Sequence, residues 1–562
     1  MVPSERSTHP ISGAARARIR HVALLVGIAL VAAACGTQSP SPSGSNGDGG
    51  PTSGDDVLIA AVGTLGTMEW EPAKAGHDNE LITMNWSNSL IGTNEAGEYI
   101  GELATEWELS DDLLTWTFEL RPDVPFHDDW GTVTSEDVRY TWQEWISTES
   151  THDGQAQLSQ AVGDDMANFE IIDDLNFSVT ATEPVIQLPS VLCSCIGGLQ
   201  ITSARYAEEE PEEAAVHPIG TGPWQFVSST PGVEVVLDAV EDHWLESPGF
   251  SRLLLKEIPD PAARLVQVQS GAVDIASLAG ELVGEAEAAE LDIVSLPLVA
   301  NTFVVLGGSY WTHPDEWLDR DAPWIQADDP AAGQAIREAL SLAIDRELIL
   351  DTILSGEGEV AYGPLIQYNN VTAVTDPSWE LPAYDVEEAR AKLAEGGYAD
   401  GFEIEMFQYP DDVDTVGIGT AIAGMWEEIG VTVALRQADE AVLDDMLNQI
   451  PPATDGIAWV KIAKIRPESA DSITGYTSSR EDDFKFTHPE LDAAYEAMAT
   501  EPDPEARGAI ARDLIDTLRN ETTVITLFNA NIPYVVGPKV GSWTPAYGNA
   551  DFNSLYTAQP AD

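Results

Sequence analysis

Between Phe402 and Leu435 the chain reads as strand, helix and strand, and this run narrows the possible folds more than any other feature. Phe402, Ile404 and Met406 alternate with polar residues along one strand. Ile422, Met425, Trp426 and Ile429 recur at helical spacing until Gly430. Val431, Val433 and Leu435 then alternate again. Such a unit implies parallel pairing and a right-handed crossover, so the predicted class is α/β with mixed sheets.

Similar punctuation recurs along the chain. Leu114, Trp116, Phe118 and Leu120 alternate as a half-buried strand. Thr134-Ser135-Glu136-Asp137 resembles a capping box, and Val138, Trp142 and Trp145 follow on one helical face. Asp260-Pro261 reads as an N-cap with Pro in the first helical position; Gly271 is placed to end that helix. Tyr384-Asp385 opens another capped helix, which stops at Gly396-Gly397.

The N-terminus is different in kind. Arg16, Arg18 and Arg20 precede an apolar run, His21 to Ala34, that ends in Ala32-Ala33-Ala34 before Cys35. A basic start, a short apolar stretch and small residues describe a signal peptide over 1–34. The run is shorter than the ~20 residues a spanning helix needs. Gly36 to Asp55 is rich in Ser, Pro and Gly, the composition of a flexible tether. With 562 residues, the remainder is long enough for two or three domains.

Charge excludes whole classes of partner. The chain holds 95 acidic and 26 basic residues. Removing Met1–Ala34, with one acidic and four basic residues, leaves a net charge near −72. Nucleic acid and anionic lipid heads both require basic patches, so neither is an expected partner. An acidic, strongly hydrated surface suits high salt, where repulsion is screened. No Gly-x-Ser-x-Gly elbow, His-Glu-x-x-His, phosphate loop or Gly-x-Gly-x-x-Gly is present, which disfavours an enzyme. His127 beside Asp128-Asp129 fits a polar turn as well as a metal ligand, and neither metal nor cofactor is expected.

Four blocks carry a resemblance. The first runs from Ile100-Gly101-Glu102-Leu103-Ala104 through Leu114-Thr115-Trp116-Thr117-Phe118 to Val124-Pro125-Phe126-His127-Asp128. The second is Pro218-Ile219-Gly220-Thr221-Gly222-Pro223-Trp224, with Gln269-Ser270-Gly271-Ala272-Val273-Asp274-Ile275 after it. Ile336-Arg337-Glu338-Ala339-Leu340 to Ile344-Asp345-Arg346 is the third, and Tyr384-Asp385 to Gly396-Gly397-Tyr398 the fourth. In this order they resemble the family 5 extracellular solute-binding proteins, the peptide, nickel and oligosaccharide receptors of ABC importers. Ala32-Ala33-Ala34-Cys35-Gly36 is similar to a bacterial lipobox, with Ala32 where Leu is usual. That likeness implies lipidation of Cys35 and attachment to the outer face of the cell membrane.

The resemblance implies a two-lobed clamshell. Lobe one combines 56–90, 190–300 and 521–562, an inserted subdomain takes 91–189, and lobe two takes 301–520. The blocks themselves are scaffold; Arg337, Asp345 and Arg346 are expected in structural ion pairs. By the same likeness, ligand contacts fall on Glu69, Trp70, Trp86 and Asn88 in lobe one. In lobe two they fall on Tyr362, Gln367 and Trp459. Each Trp fits pocket or core.

Two departures stand out. An insertion, Ser309 to Pro330, carries Trp311, Trp317 and Trp324, and Trp459 is followed by Val460-Lys461-Ile462-Ala463-Lys464 where an acidic motif is usual. Lys461 and Lys464, two of the chain's seven Lys, fit either a site that receives a ligand carboxylate or a solvated surface. Cys193 and Cys195 fit either a local bridge or two buried thiols. The implied function is a monomeric receptor that captures an oligopeptide and delivers it to ABC permease subunits, with no bond made or broken. An oligosaccharide is the second reading, since 16 Trp offer stacking platforms. A secreted hydrolase is the third.

Overall fold

The computed structural model describes residues 56–74, 82–94, 98–148, 150, 155–163, 166–196, 198–315, 317–365, 375–408, 413–438, 440–447, 449, 451–464, 486–545 and 554–561. The expected signal peptide, Cys35, the tether and Gln367 lie outside them, as does the Lys464 side chain. Among the described residues no helix is long and apolar enough to cross a membrane.

β1 (Val57–Val62) places Leu58, Ala60 and Val62 in one apolar cluster and Ala61 in another. The chain then leaves for a subdomain. There β2 (Ile91–Thr93) pairs with β3 (Tyr99–Gly101). A separate antiparallel sheet has the order β4-β5-β7-β6, from β4 (Ala104–Leu109), β5 (Thr115–Leu120), β6 (Phe169–Asp173) and β7 (Asn176–Thr180). Trp116, Phe118 and Leu120 face inward along β5 as the alternation predicts, and the Phe118 and Phe177 rings stack 4.9 Å apart. The predicted helix spans Ser135–Trp145 and buries Val138, Trp142 and Trp145. Its start is fixed by the Asp137 carboxylate, which accepts from Thr134 N and Oγ1 at 2.8 and 2.9 Å.

The subdomain core reaches further along the chain than expected. Leu192, Leu199, Ile201, Tyr206 and Ile219, assigned from sequence to lobe one, pack in the subdomain cluster. The segment crosses back over the subdomain before β8 (Trp224–Thr230) returns to the central sheet. Cys193 and Cys195 are joined by a disulfide within this crossing.

The central sheet adds β9 (Glu234–Ala239), β10 (Arg252–Glu257), β11 (Ile275–Ser277), β12 (Asp292–Leu306), β13 (Gly358–Val360), β14 (Glu403–Gln408), β15 (Thr432–Gln437), β16 (Ile457–Lys464) and β17 (Ile525–Val536). Its strand order is β15-β14-β16-β12-β17-β11-β1-β10-β9-β8, with β13 pairing β17 at the side. The expected strand–helix–strand unit is β14, helix Val413–Glu428 and β15, paired in parallel from Glu403↔Thr432. Asp260 and Asp385 cap their helices as expected. A short pair, β18 (Val540–Ser542) and β19 (Gln559–Pro560), lies apart from this sheet.

Two long antiparallel strands, β12 and β17, join the lobes. Asp292–Leu296 pairs with Val536–Ile532 beside lobe one, and Ala300–Val304 pairs with Ala530–Ile525 in lobe two. Between them the register shifts, Leu296 to Ala300, and such an irregularity bends a strand pair. The stretch 521–530, expected in lobe one, instead gives Val524, Ile525, Leu527 and Phe528 to the lobe-two clusters. β17 is a single strand running through both cores, so the crossing falls in its middle.

Candidate functional site

The expected lobe-one contacts come together at the C-terminal end of β1. Trp70 and Trp86 meet edge to face at 5.2 Å, and Phe226 lies 5.9 and 5.5 Å from them. Both indoles are buried, so they brace the loop from within; Glu69 is exposed beside them. The second signature block clasps this loop. Gly222 N donates to Trp86 O at 3.0 Å, and Trp224 N to Asn85 O at 3.2 Å. A Cβ on Gly220 would lie 2.2 Å from Trp86 O, so close backbone approach requires glycine there.

His127 ties the first block to the second. Its Nε2–H donates to Gly222 O at 2.9 Å, and its Nδ1 accepts from Gly220 N at 3.4 Å. This geometry needs the neutral ring, and burial pulls its pKa down to about 4. His127 is therefore a clamp between backbones. Asp128 and Asp129 adopt left-handed φ of 56° and 60° in a tight turn.

Asn88 belongs to a buried polar cluster that pattern reading missed. Its Oδ1 accepts from Thr221 Oγ1 at 3.1 Å, and its side chain also bonds Glu102. The Glu102 carboxyl accepts from Ser194 Oγ at 2.6 Å and Ser89 N at 3.1 Å. Ser194 stands between the two bridged cysteines. Burial dominates and raises the Glu102 pKa to about 7. No sequence period distinguishes Glu102 from the scaffold block around it.

The expected lobe-two contacts gather around one buried cluster. Trp459 lies opposite Val305 on β16, and its indole is wholly buried in a cluster with Phe303, Phe407, Leu443 and Met498. It fills the core behind the strand, because alternation along β16 turns that face inward at Trp459. Lys461, two residues on and opposite Phe303, is half-buried on the same face. Tyr362 lines a cavity of ≈ 290 Å³ with Glu338, Ser341, Arg519 and Thr526. Tyr362 also packs at the edge of the cluster that holds Trp459. Backbone from the same loop does cross to the hinge: Leu365 N donates to Asn301 Oδ1 at 2.9 Å.

The third block's arginines depart from the expected ion pairs. Arg337 donates to the carbonyls of Trp324, Glu521 and Thr522, at 2.7 to 3.1 Å. Arg346 donates to Thr526 O at 2.7 Å and to Ser341 and Ile344. Both guanidinium groups are buried, and five-donor forks suit clusters of carbonyls left open at helix ends and turns. Asp345 caps the helix that begins at Arg346. From the insertion, Trp324 is buried and donates to Gly307 O at 3.0 Å.

Comparison with known proteins agrees with this arrangement. The family model for bacterial extracellular solute-binding proteins, family 5 (middle), matches residues 98–459. The oligopeptide-binding protein AppA of Bacillus subtilis is 26% identical over 392 residues, covering 67% of this chain and 66% of AppA. The nickel-binding periplasmic protein of Escherichia coli is 23% identical over 501 residues, covering 84% of this chain and 89% of that one. Haemophilus influenzae heme-binding protein A is 24% identical, with 58% of this chain and 60% of that protein aligned. Among solved structures, AppA in complex with a nonapeptide superposes with a TM-score of 0.71 at 18% identity, covering 90% of this chain and 99% of that one. DppA from Helicobacter pylori in complex with peptide STSA gives 0.70 at 17% identity, covering 90% and 98%. These likenesses establish the two-lobed fold. With most of its length matched by one family model and its signature blocks clamped together as described, the chain belongs to family 5 of the bacterial extracellular solute-binding proteins.

Proposed function

We propose that this protein is an extracytoplasmic receptor, tethered through lipidated Cys35, that captures an oligopeptide between its lobes and delivers it to ABC permease subunits. The observation that carries the reading is the hinge: two separately packed lobes share the β12–β17 pair, and the pair is irregular where it crosses between them. Closure around a small ligand is what such a joint permits, and micromolar affinity requires about −8 kcal/mol. Glu69 at the end of β1 lines the lobe-one wall, and Lys461 on β16 offers positive charge to a peptide carboxylate. No step in this role makes or breaks a bond, and the chain acts as a monomer.

Peptide ligands named for AppA and DppA support the class. The oligosaccharide reading loses its main support, because all 16 Trp are buried or half-buried and none offers an exposed platform. The acidic surface is read as an adaptation to high salt. Mass spectrometry of the copurifying molecule, followed by calorimetry with di- to pentapeptides and cello-oligosaccharides, tests the ligand class. Binding confined to sugars would refute the peptide assignment. Cys35→Ala is expected to release the protein into the medium; retention in membranes would refute the anchor.

A further inference from the structure

A relay of amides runs through the hinge and ends on an unpaired donor. Leu365 N–H donates to Asn301 Oδ1 at 2.9 Å, which fixes the orientation of that amide. Asn301 Nδ2 must then point away, and it donates to Asn529 Oδ1 at 2.7 Å and to Gly363 O at 3.4 Å. Asn529 in turn has its oxygen toward Asn301 and its Nδ2 directed elsewhere. That Nδ2 is fully buried and has no partner among the described residues. A buried donor left unpaired costs about 1–3 kcal/mol. Asn529 and Asn531 interrupt an otherwise mainly apolar strand, β17, where a β-branched residue would pack without that penalty.

The position of this donor gives it meaning. Asn301↔Asn529 is next to the first β12–β17 pair on the lobe-two side of the register shift. Ala530 packs in a lobe-two cluster, whereas Ile532 packs against lobe one. Alternation along β12 puts Asn301 on the face of Phe303, and Lys461 stands directly opposite Phe303 on β16. The orphan amide thus lies buried near the joint between lobes, on β17 beside Asn301, with Lys461 on the same sheet face two strands over.

We propose that Asn529 contacts the ligand, its Nδ2 donating to a carbonyl or carboxylate oxygen in the closed cleft, with Asn301 as its positioning residue. This inference rests on the receptor reading above and deepens it: the hinge wall of lobe two receives the acceptor-bearing end of the ligand. A crystal structure of the full chain as purified, soaked with a pool of tri- to pentapeptides, tests it. A ligand oxygen within about 3.2 Å of Nδ2 is expected. A water, a protein atom or nothing at that position overturns the inference. A bound sugar bonded to Nδ2 would refute the peptide class yet uphold the contact, whereas a peptide bound away from Nδ2 would do the reverse. Asn529→Asp supplies a second readout, since it keeps the oxygen that Asn301 needs and replaces the donor. Calorimetry with the tightest peptide of the pool should show at least ~10-fold weaker binding at pH 8, partly recovered at pH 5, where a buried carboxyl is protonated and donates again. Affinity equal to wild type at both pH values, with only the melting temperature lowered, would assign Asn529 a structural role and overturn the proposal.

Discussion

Glu102 shows how one buried group links the signature block to pH. Its donors, Ser194, Ser89 and Asn88, are all neutral, and burial raises its pKa from 4.5 to about 7. The folded state therefore holds a proton that the unfolded chain releases between those values. Stability from this group is complete below pH 4.5 and is lost as pH rises through 7, by on the order of 3 kcal/mol. His127 works in the opposite sense. Its ring stays neutral down to about pH 4, so its contribution is complete above 6.5 and is lost as pH falls toward 4. The two slopes overlap and oppose one another, and a variant is needed to separate them. Glu102→Gln should flatten the Glu102 component, so that its melting temperature gains on wild type steadily from pH 5 to pH 8. Parallel melting curves for the two proteins across that range would show that Glu102 does not titrate as described.

At the scale of elements, the signature blocks act as clasps. The second block lies against the loop Asn85–Asn88 by backbone hydrogen bonds and close glycine contacts. Gly220→Ala would drive a Cβ to 2.2 Å from Trp86 O, a contact with backbone that no rotamer relieves. Destabilisation of a few kcal/mol is expected, together with weaker ligand binding as the loop is displaced. Urea unfolding and calorimetry on the same preparation check both; wild-type values for either would break the proposed link between clasp and loop. The capping boxes, the alternation of β5 and the strand–helix–strand unit were legible in the sequence, since each depends on neighbours within one or two turns. Asn301 and Asn529 were not, because a single Asn in an apolar run has no period, and their pairing spans 228 residues. Trp459 could be read either way from its surroundings in sequence. Its burial depends on helices packed from elsewhere.

The whole molecule carries a formal net charge of −69 with its full sequence counted. Repulsion among carboxylates over a compact surface opposes folding, and screening shortens its range from about 10 Å at 0.1 M salt to about 3 Å at 1 M. The melting temperature should therefore climb from 0.05 to 2 M NaCl. A flat or falling series would remove the high-salt reading of the surface. The surface ion pairs cannot offset the repulsion, since exposed pairs such as Arg205–Glu209 at 2.8 Å sit in water and are screened by the same salt.

The sequence by itself determined the α/β class, the caps and the order of the family's blocks, as well as the acidity of the whole. These properties reside in local periodicity and in composition, which survive without any knowledge of contacts. Only the tertiary structure decided which residues meet across the hinge. It placed Trp459 in the core with Tyr362 at the edge of the same cluster beside a cavity, and it turned Arg337 and Arg346 toward carbonyls. It also made β17 a strand common to both lobes and left the buried Asn529 amide without a partner among the described residues near their junction. Strand pairing between residues hundreds of positions apart sets those neighbours, and side-chain chemistry then follows from the company each residue keeps.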